Sequence, residues 1–482
     1  MEQLQNFIDP VSSFLWGWLL IYILLATGLY FSIRTRLVQF RRFGHLWRLV
    51  FSSRRGAQGG ISSFQAFCIG LASRVGTGNI AGVAIALTLG GPGAIFWMWC
   101  VALLGMATAF VEASLAQVFK VALPDGTFRG GPAFYIERGL GSRRWGMVFA
   151  LLLIFTFGLA FNAVQANTIA AVLRDAHTVP TQLSGIVLAL LAAPVFFGGV
   201  RAVARVAEWL LPAMALAYIA LALVMLALHL DHVPAAFLLI VRSAFGLQPA
   251  VAGVSGGIAA AMLNGVKRGL FSNEAGVGSA PNTAATATVA HPAIQGFIQA
   301  LGVFIDTIIV CSTTAFIILV SGLYDPSQPA AIAGASLTQA AIAQSFGAAG
   351  QWFMTVVVFA FAFSSVLGNY AYADANLTFL GCGRATFLVF RIVALFAVLT
   401  GSIKSLPFIW AVADVAMGVM TLLNVTAILL VSPWAVAVLA DYERSLAAGR
   451  QPIRGQQYPW SARCASGYRL VAGRPPLVSE LN

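Results

Sequence analysis

The chain has 482 residues, 59% hydrophobic and only 9% charged. A soluble globular chain carries about 25% charged residues, so a soluble enzyme or binding module is excluded. The apolar residues form long runs, which implies helices crossing a bilayer and not a barrel, and the net charge of +12 comes from arginines between the runs. That distribution belongs to cytoplasmic loops and argues against a nucleic-acid surface.

The runs fall at 13–33, 64–87, 93–119, 145–172, 183–199, 205–229, 252–290, 295–321, 351–380, 385–401 and 406–432. At the length a helix needs to cross a bilayer they predict about eleven spans. The segment before the first run carries Glu2 and Asp9 and has no basic region, so that run is read as an uncleaved membrane helix. Arg34, Arg36, Arg41, Arg42, Arg48, Arg54 and Arg55 follow it without an acidic residue. This loop is expected in the cytoplasm and the N-terminus outside. Alternation then puts the loop of Lys120, Arg129, Arg138, Arg143 and Arg144 inside. Arg201 and Arg205 join it there, as does the tail with Arg444, Arg450, Arg454, Arg463, Arg469 and Arg474. The stretch 321–350, without a basic residue, falls outside. The loop Asp125–Pro132 and the helix-like piece Ala133–Leu140 read as an interfacial connector. Cys68, Cys100, Cys311, Cys382 and Cys464 show no CxxC or zinc spacing and predict neither a disulfide nor a metal site.

Two runs are interrupted. In the run 64–87 the sequence Leu71-Ala72-Ser73-Arg74-Val75-Gly76-Thr77-Gly78-Asn79 puts a charge, hydroxyls, an amide and paired glycines at mid-depth. Small residues there serve close helix packing or let the helix unwind, since each glycine costs about 1 kcal/mol against alanine. The added polar groups favour unwinding, which offers carbonyls to a cation and N–H groups to a carboxylate. The run 252–290 is too long for one span, and Asn264 to Asn282 interrupts it with Lys267, Arg268, Glu274, glycines, amides and Pro281. Interrupted segments at corresponding positions of two halves point to a transporter site. With the first helix set aside, two units of five spans remain, and an odd number inverts the second.

Further polar groups lie at depth. Asn162, Gln165 and Asn167 either bond a neighbouring helix or line a cavity. Ser364 and Ser365 either bond back to their own helix or give oxygens to a cation. Arg74, Glu112, Glu274, Asp306, Asp374 and Asp414 are buried ionisable candidates, functional by default. Mutual pairing is the competing reading, stronger for Glu112, Asp374 and Asp414 near helix ends, while Arg74 and Glu274 in the breaks suggest gating or charge compensation. A membrane-embedded enzyme would need a catalytic set. His45, His177, His229, His232 and His291 lie near loops or ends, with no HExxH helix and no Ser/His/Asp order. A channel would need a repeated filter loop, and none is visible.

The segments Val75–Ala84, Gly90–Trp99, Phe128–Ala133 and Phe271–Asn282 resemble, in order and spacing, the alanine or glycine:cation symporter family, and the resemblance runs from about residue 10 to 445. It implies uptake of small neutral amino acids such as alanine, glycine or serine, coupled to Na+ or alternatively H+, across a bacterial-type inner membrane. It implies an all-α polytopic protein of leucine-transporter fold. Residues 1–60 would hold an extra N-terminal helix and loop, 61–230 the first five-helix repeat, 250–432 the inverted second, and 433–482 a cytoplasmic tail. The Val75-Gly76-Thr77-Gly78-Asn79 break is similar to that of the leucine transporters. The carry-over assigns the carbonyls of Ala72 and Val75, with Ser364 and Ser365, to Na+. It assigns the N–H groups around Gly76, Thr77 and Gly78, with Asn79, to the substrate carboxylate, and Gln165, Phe271, Ser272 and Asn273 to the pocket wall. Many family members carry tryptophan where this chain has Asn369, so pocket size or polarity differs here. No organic cofactor, nucleic acid or obligate protein partner is implied beyond the amino acid and the bilayer.

Overall fold

The computed structural model describes residues 8, 10–52, 61–124, 126–246, 257–325 and 334–449. Glu2, Asp9, Arg54, Arg55, Asp125, Cys464 and the tail arginines from Arg450 onward lie outside the described residues, as do 250–256.

The first apolar run forms α1 (Pro10–Arg34). The amphipathic α2 (Phe43–Ser52) follows, with Leu46, Leu49 and Val50 buried and Arg48 exposed. The first interrupted run is two helices, α3 (Ser63–Arg74) and α4 (Gly78–Gly90), bent by 46°. Ser62 and Gln65 start α3 with a reciprocal capping box, which satisfies two N–H groups that no helical carbonyl reaches. Next come α5 (Gly93–Val118), the ladder of β1 (Val121–Ala122) on β2 (Phe128–Arg129), and the connector α6 (Pro132–Leu140). That two-residue ladder and an isolated bridge of Ile61 with Ala287 are the departures from an all-helical reading among the described residues.

Two long apolar helices follow, α7 (Arg143–His177) and α8 (Thr181–Leu228). The 48 residues of α8 would span about 72 Å as one rod, over twice the hydrocarbon thickness. The helix instead breaks at Gly199, φ 69°, where the sequence separates the runs 183–199 and 205–229. After α9 (Val233–Ala244) comes the second interrupted run. It is not a mirror of the first: α10 (Gly257–Asn273) is regular, but beyond the break only one turn, α11 (Pro281–Ala284), is helical. The chain continues as α12 (Pro292–Val320), α13 (Ala335–Phe379), broken at Gly347, α14 (Arg384–Ile403) and α15 (Leu406–Ala447).

Among the described residues eight helices are long and apolar enough to cross a membrane, and nine with the bent pair. The α8 and α14 helices expose Leu190, Trp209, Leu223, Ile392 and Phe396 and so stand at the lipid-facing rim. The two breaks are buried. The halves share a pattern: α6 precedes the third span of one, and the short piece of α13 before Gly347 precedes the third span of the other.

Two acids near helix ends pair as the sequence suggests. Arg129 meets Asp374 at 3.1 Å. Lys267 and Arg268 meet one oxygen of Asp414 at 2.7 and 2.6 Å, and Arg268 lies over the Trp410 ring at 4.6 Å. Removing one partner of a buried pair costs about 3–5 kcal/mol, because the remaining charge is stranded. Asp414→Ala is therefore expected to lower the melting temperature of the purified protein in detergent. Replacing Lys267 and Arg268 by methionine in that background should recover part of the loss; no recovery would contradict a charge-stranding cost.

Candidate functional site

At the first break α3 ends regularly, the Val75 N–H bonding the Leu71 carbonyl at 2.7 Å. The next two N–H groups find amide oxygens instead. Gly76 donates to Asn79 Oδ1 at 2.8 Å and Thr77 to Gln165 Oε1 at 3.2 Å. Gly76, Thr77, Gly78 and Asn79 are all buried. A Cβ on Gly76 would overlap the Ser365 hydroxyl, and one on Gly78 would lie 3.2 Å from both Phe271 and the Ser272 backbone. The two glycines thus let α13 and the second break close on the first.

Ser365 Oγ sits against the carbonyls of Ala72 (3.0 Å), Ser73 (2.9 Å) and Phe361 (3.1 Å). Ser364 Oγ bonds Phe361 O at 2.8 Å and reaches Ala72 O at 3.3 Å. Both serines therefore bond back to their own helix and across to α3. The structure brings Ala72, Ser364 and Ser365 into one oxygen cluster. Such a donor set suits a hard cation, provided the hydroxyls turn their lone pairs inward.

Asn79 Nδ2 donates to Asp306 Oδ1 at 2.7 Å and to the Asp306 carbonyl at 3.1 Å. Asp306 Oδ2 accepts from Ser272 and Thr307, both at 2.8 Å, and Asn273 Nδ2 reaches Thr307 at 3.2 Å. Cys311 Sγ lies 3.2 Å from Ser272 and 3.4 Å from Asn79. Asp306 thus joins the two breaks, and no Lys or Arg lies within 4.0 Å of it among the described residues. The sequence marks Asp306 only as a buried acid and does not place it, or Thr307 and Cys311, in the site. The signal is weak because a π-helical turn, Phe304–Cys311, shifts them off the helical period. Phe271 stacks on Phe161 at 4.4 Å and packs on Trp410 at the same distance, forming an apolar wall.

In the second break Glu274, Gly276 and Gly278 take φ of 57°, 86° and 90°. The freed Gly276 N–H donates to Glu112 Oε2 at 3.0 Å, and its carbonyl accepts from Asn424 at 2.9 Å. Tyr135 in turn bonds Asn424. Glu112 therefore holds the break open, and among the described residues no cation pairs with it. Arg74 donates to the Gln299 carbonyl at 3.2 Å, and its Nε has no partner among the described residues. Asn369 bonds Asn162 and Ser73.

The two ends of the bundle differ. Where α7 and α14 end, a cavity of about 700 Å3 opens between Asn167, Arg174, Asp175, Gln339 and Lys404, with Ala81 of α4 among its walls. At the arginine-rich end Ile61 pairs with Ala287, and Thr288 donates to Ile61 at 3.0 Å. Lys120 there lies 2.7 Å from both Gln117 Oε1 and the Ala287 carbonyl and 4.0 Å from the Phe128 ring centre. Burial pulls its ammonium down to about 7.

The profile of the sodium:alanine symporter family matches residues 1–456. The amino-acid carrier protein AlsT of Bacillus subtilis is 46% identical over 94% of this chain and 95% of its own. The probable sodium/glutamine symporter GlnT of the same organism is 42% identical over 94% of each. Among solved structures, MhsT in complex with L-phenylalanine superposes with a TM-score of 0.51 at 14% identity, covering 80% of this chain and 99% of that one, a likeness of fold. The chain belongs to the sodium:alanine symporter family, and is a membrane transporter of leucine-transporter fold and not an enzyme.

Proposed function

We propose that the protein imports a small neutral amino acid, alanine, glycine or serine, together with Na+, by alternating access across a bacterial-type inner membrane. The reading includes about eleven crossings, with the N-terminus outside and the tail in the cytoplasm. It takes 61–230 and 250–432 as the two inverted repeats, flanked by 1–60 and 433–482. On that orientation the cavity is an outer vestibule and the arginine-rich end a closed inner gate. The observation that carries the reading is the oxygen cluster of Ala72, Ser364 and Ser365 beside the break of α3.

Na+ would take the carbonyls of Ala72 and Val75 and the two serine oxygens, replacing hydroxyl-to-carbonyl bonds. It would thereby clamp α3 to α13. The substrate carboxylate would compete with Asn79 Oδ1 and Gln165 Oε1 for the N–H groups of Gly76 and Thr77, with Gly78 beside them at the positive start of α4. The ammonium is better matched to the Asp306 carboxylate and Ser272 than to amides alone, since a buried anion attracts it most strongly. Asn273 supports that wall, Phe271 limits the side chain, and Asn369 sets polarity behind it. Coupling follows because the closed site is stabilised fully only with both cargoes present. The relative named for glutamine keeps a larger side chain within the family's range.

Proteoliposomes given labelled alanine, glycine and serine should accumulate substrate under an imposed Na+ gradient. Accumulation indifferent to both Na+ and H+ gradients would refute the coupling. Ser365→Ala should raise the Na+ concentration for half-maximal uptake by about tenfold to a hundredfold, matching the 1.5–3 kcal/mol of a bond to a charge. An unchanged Na+ dependence removes the serine from the site. Asn79→Ala takes away both the acceptor that positions the Gly76 N–H and the amide that donates to Asp306, and should abolish substrate binding in a calorimetric or scintillation-proximity assay.

A further inference from the structure

A chain of hydrogen bonds beside the first break fixes the position of one proton. It starts at the Gly158 carbonyl, which can only accept. Asn162 approaches it with Nδ2 at 2.9 Å, so Asn162 Oδ1 points away. That oxygen lies 3.0 Å from Asn369 Nδ2, which donates to it. Asn369 Oδ1 then faces Ser73 Oγ at 2.8 Å and takes the serine's one hydrogen. Ser73 Oγ is also 2.9 Å from Glu274 Oε1. With its hydrogen already given, Ser73 can only accept, so the hydrogen in this contact comes from the glutamic acid. The other carboxyl oxygen, Oε2, accepts from Tyr372 at 3.0 Å and Ser279 at 2.5 Å.

Charge gives a second, independent argument. Arg74 of α3 acts electrostatically on Glu112 of α5, Glu274 of the second break and Asp306 of α12. If ionised together, Glu112 and Glu274 would repel one another, and among the described residues Tyr372 of α13 is the remaining titratable group facing Glu274. With all three acids ionised, one guanidinium would face three negative charges in a buried volume. Ionised groups so placed are costly without matched partners. A neutral Glu274 removes one of them, while Glu112 keeps a main-chain N–H and an amide, and Asp306 keeps three donors.

We propose that Glu274 is a carboxylic acid in this conformation, and that its proton is released during the transport cycle when α3 parts from the second break. Ser73 and Glu274 lie on the two interrupted segments, so their separation opens the contact and admits water to the acid. Na+-driven uptake then depends on pH through a group that touches neither the amino acid nor Na+.

The test compares wild type with Glu274→Gln, whose amide can donate to Ser73 and accept from Tyr372 and Ser279, keeping the geometry. Infrared difference spectra of the purified full-length proteins in lipid should lose the protonated-carboxyl band in the variant. This readout needs no transport and stands apart from the proposed cargo. In proteoliposomes under a Na+ gradient, wild-type alanine uptake should change as pH rises through the loss of this proton. Glu274→Gln should keep uptake and lose that dependence. An unchanged band overturns the assignment of the proton, and identical pH profiles overturn its release during the cycle.

Discussion

Every freed main-chain group at membrane depth must find a partner inside the protein, and the rest of this structure depends on that constraint. A bilayer offers no water to a broken helix. At the first break the N–H groups of Gly76 and Thr77 therefore bond amide oxygens of Asn79 and Gln165. At the second, Glu112 and Asn424 take both polar groups of Gly276. Polar side chains that would otherwise be expelled from the core are retained because they satisfy this requirement. The same side chains face ligands well, since an amide that caps an N–H can yield it to a carboxylate.

That exchange is the step on which the proposed alternating access rests. Ser364 and Ser365 join α13 to α3 through hydroxyls and carbonyls, not interlocked apolar knobs. Each such bond is worth only about 0.5–1.5 kcal/mol net, so a cation can replace several of them without unfolding anything. Apolar contacts of the same area would resist separation far more strongly. The rim helices α8 and α14 bury mainly apolar side chains, among them Leu188, Phe196, Leu211, Ala394 and Val398, and in the proposed cycle would form the frame against which the polar seam moves.

Much of this was readable from residue order alone. Gly76 and Gly78 among Ser73, Arg74, Thr77 and Asn79, and the crowding of charge, glycine and Pro281 around Glu274, mark both breaks because such clusters have no place in a continuous apolar rod. Arg129 with Asp374, and Asp414 with its two cations, follow the pairing expected of acids near helix ends. Less readable was the far side of the second break. Pro281 gives it a helix start, yet its residues are tied to Ile61 just before α3, to Gln117 of α5 and to Lys120 just after it and hold only one helical turn. Those contacts are distant in sequence, and no local pattern announces them.

Asp306 is legible in the sequence as a buried acid but not as a neighbour of both breaks, and the cause is geometric. Helical periodicity assumes 3.6 residues per turn; each π-helical turn adds a residue and rotates everything after it. Such turns occur at Leu15–Leu20, Gly78–Gly82, Thr156–Phe161 and Phe304–Cys311. Three of the four bracket site groups: Asn79 lies in one, Asn162 directly follows another, and Asp306 and Cys311 lie in the last. A wider turn leaves carbonyls loosely bonded and swings a side chain off the face its neighbours share. In a membrane helix that is how a polar group reaches the interior while the flanking residues keep their apolar stripe toward lipid. The rotation that hides Asp306 from a reading of periodicity is therefore the same one that delivers its carboxylate to the gap between the two breaks.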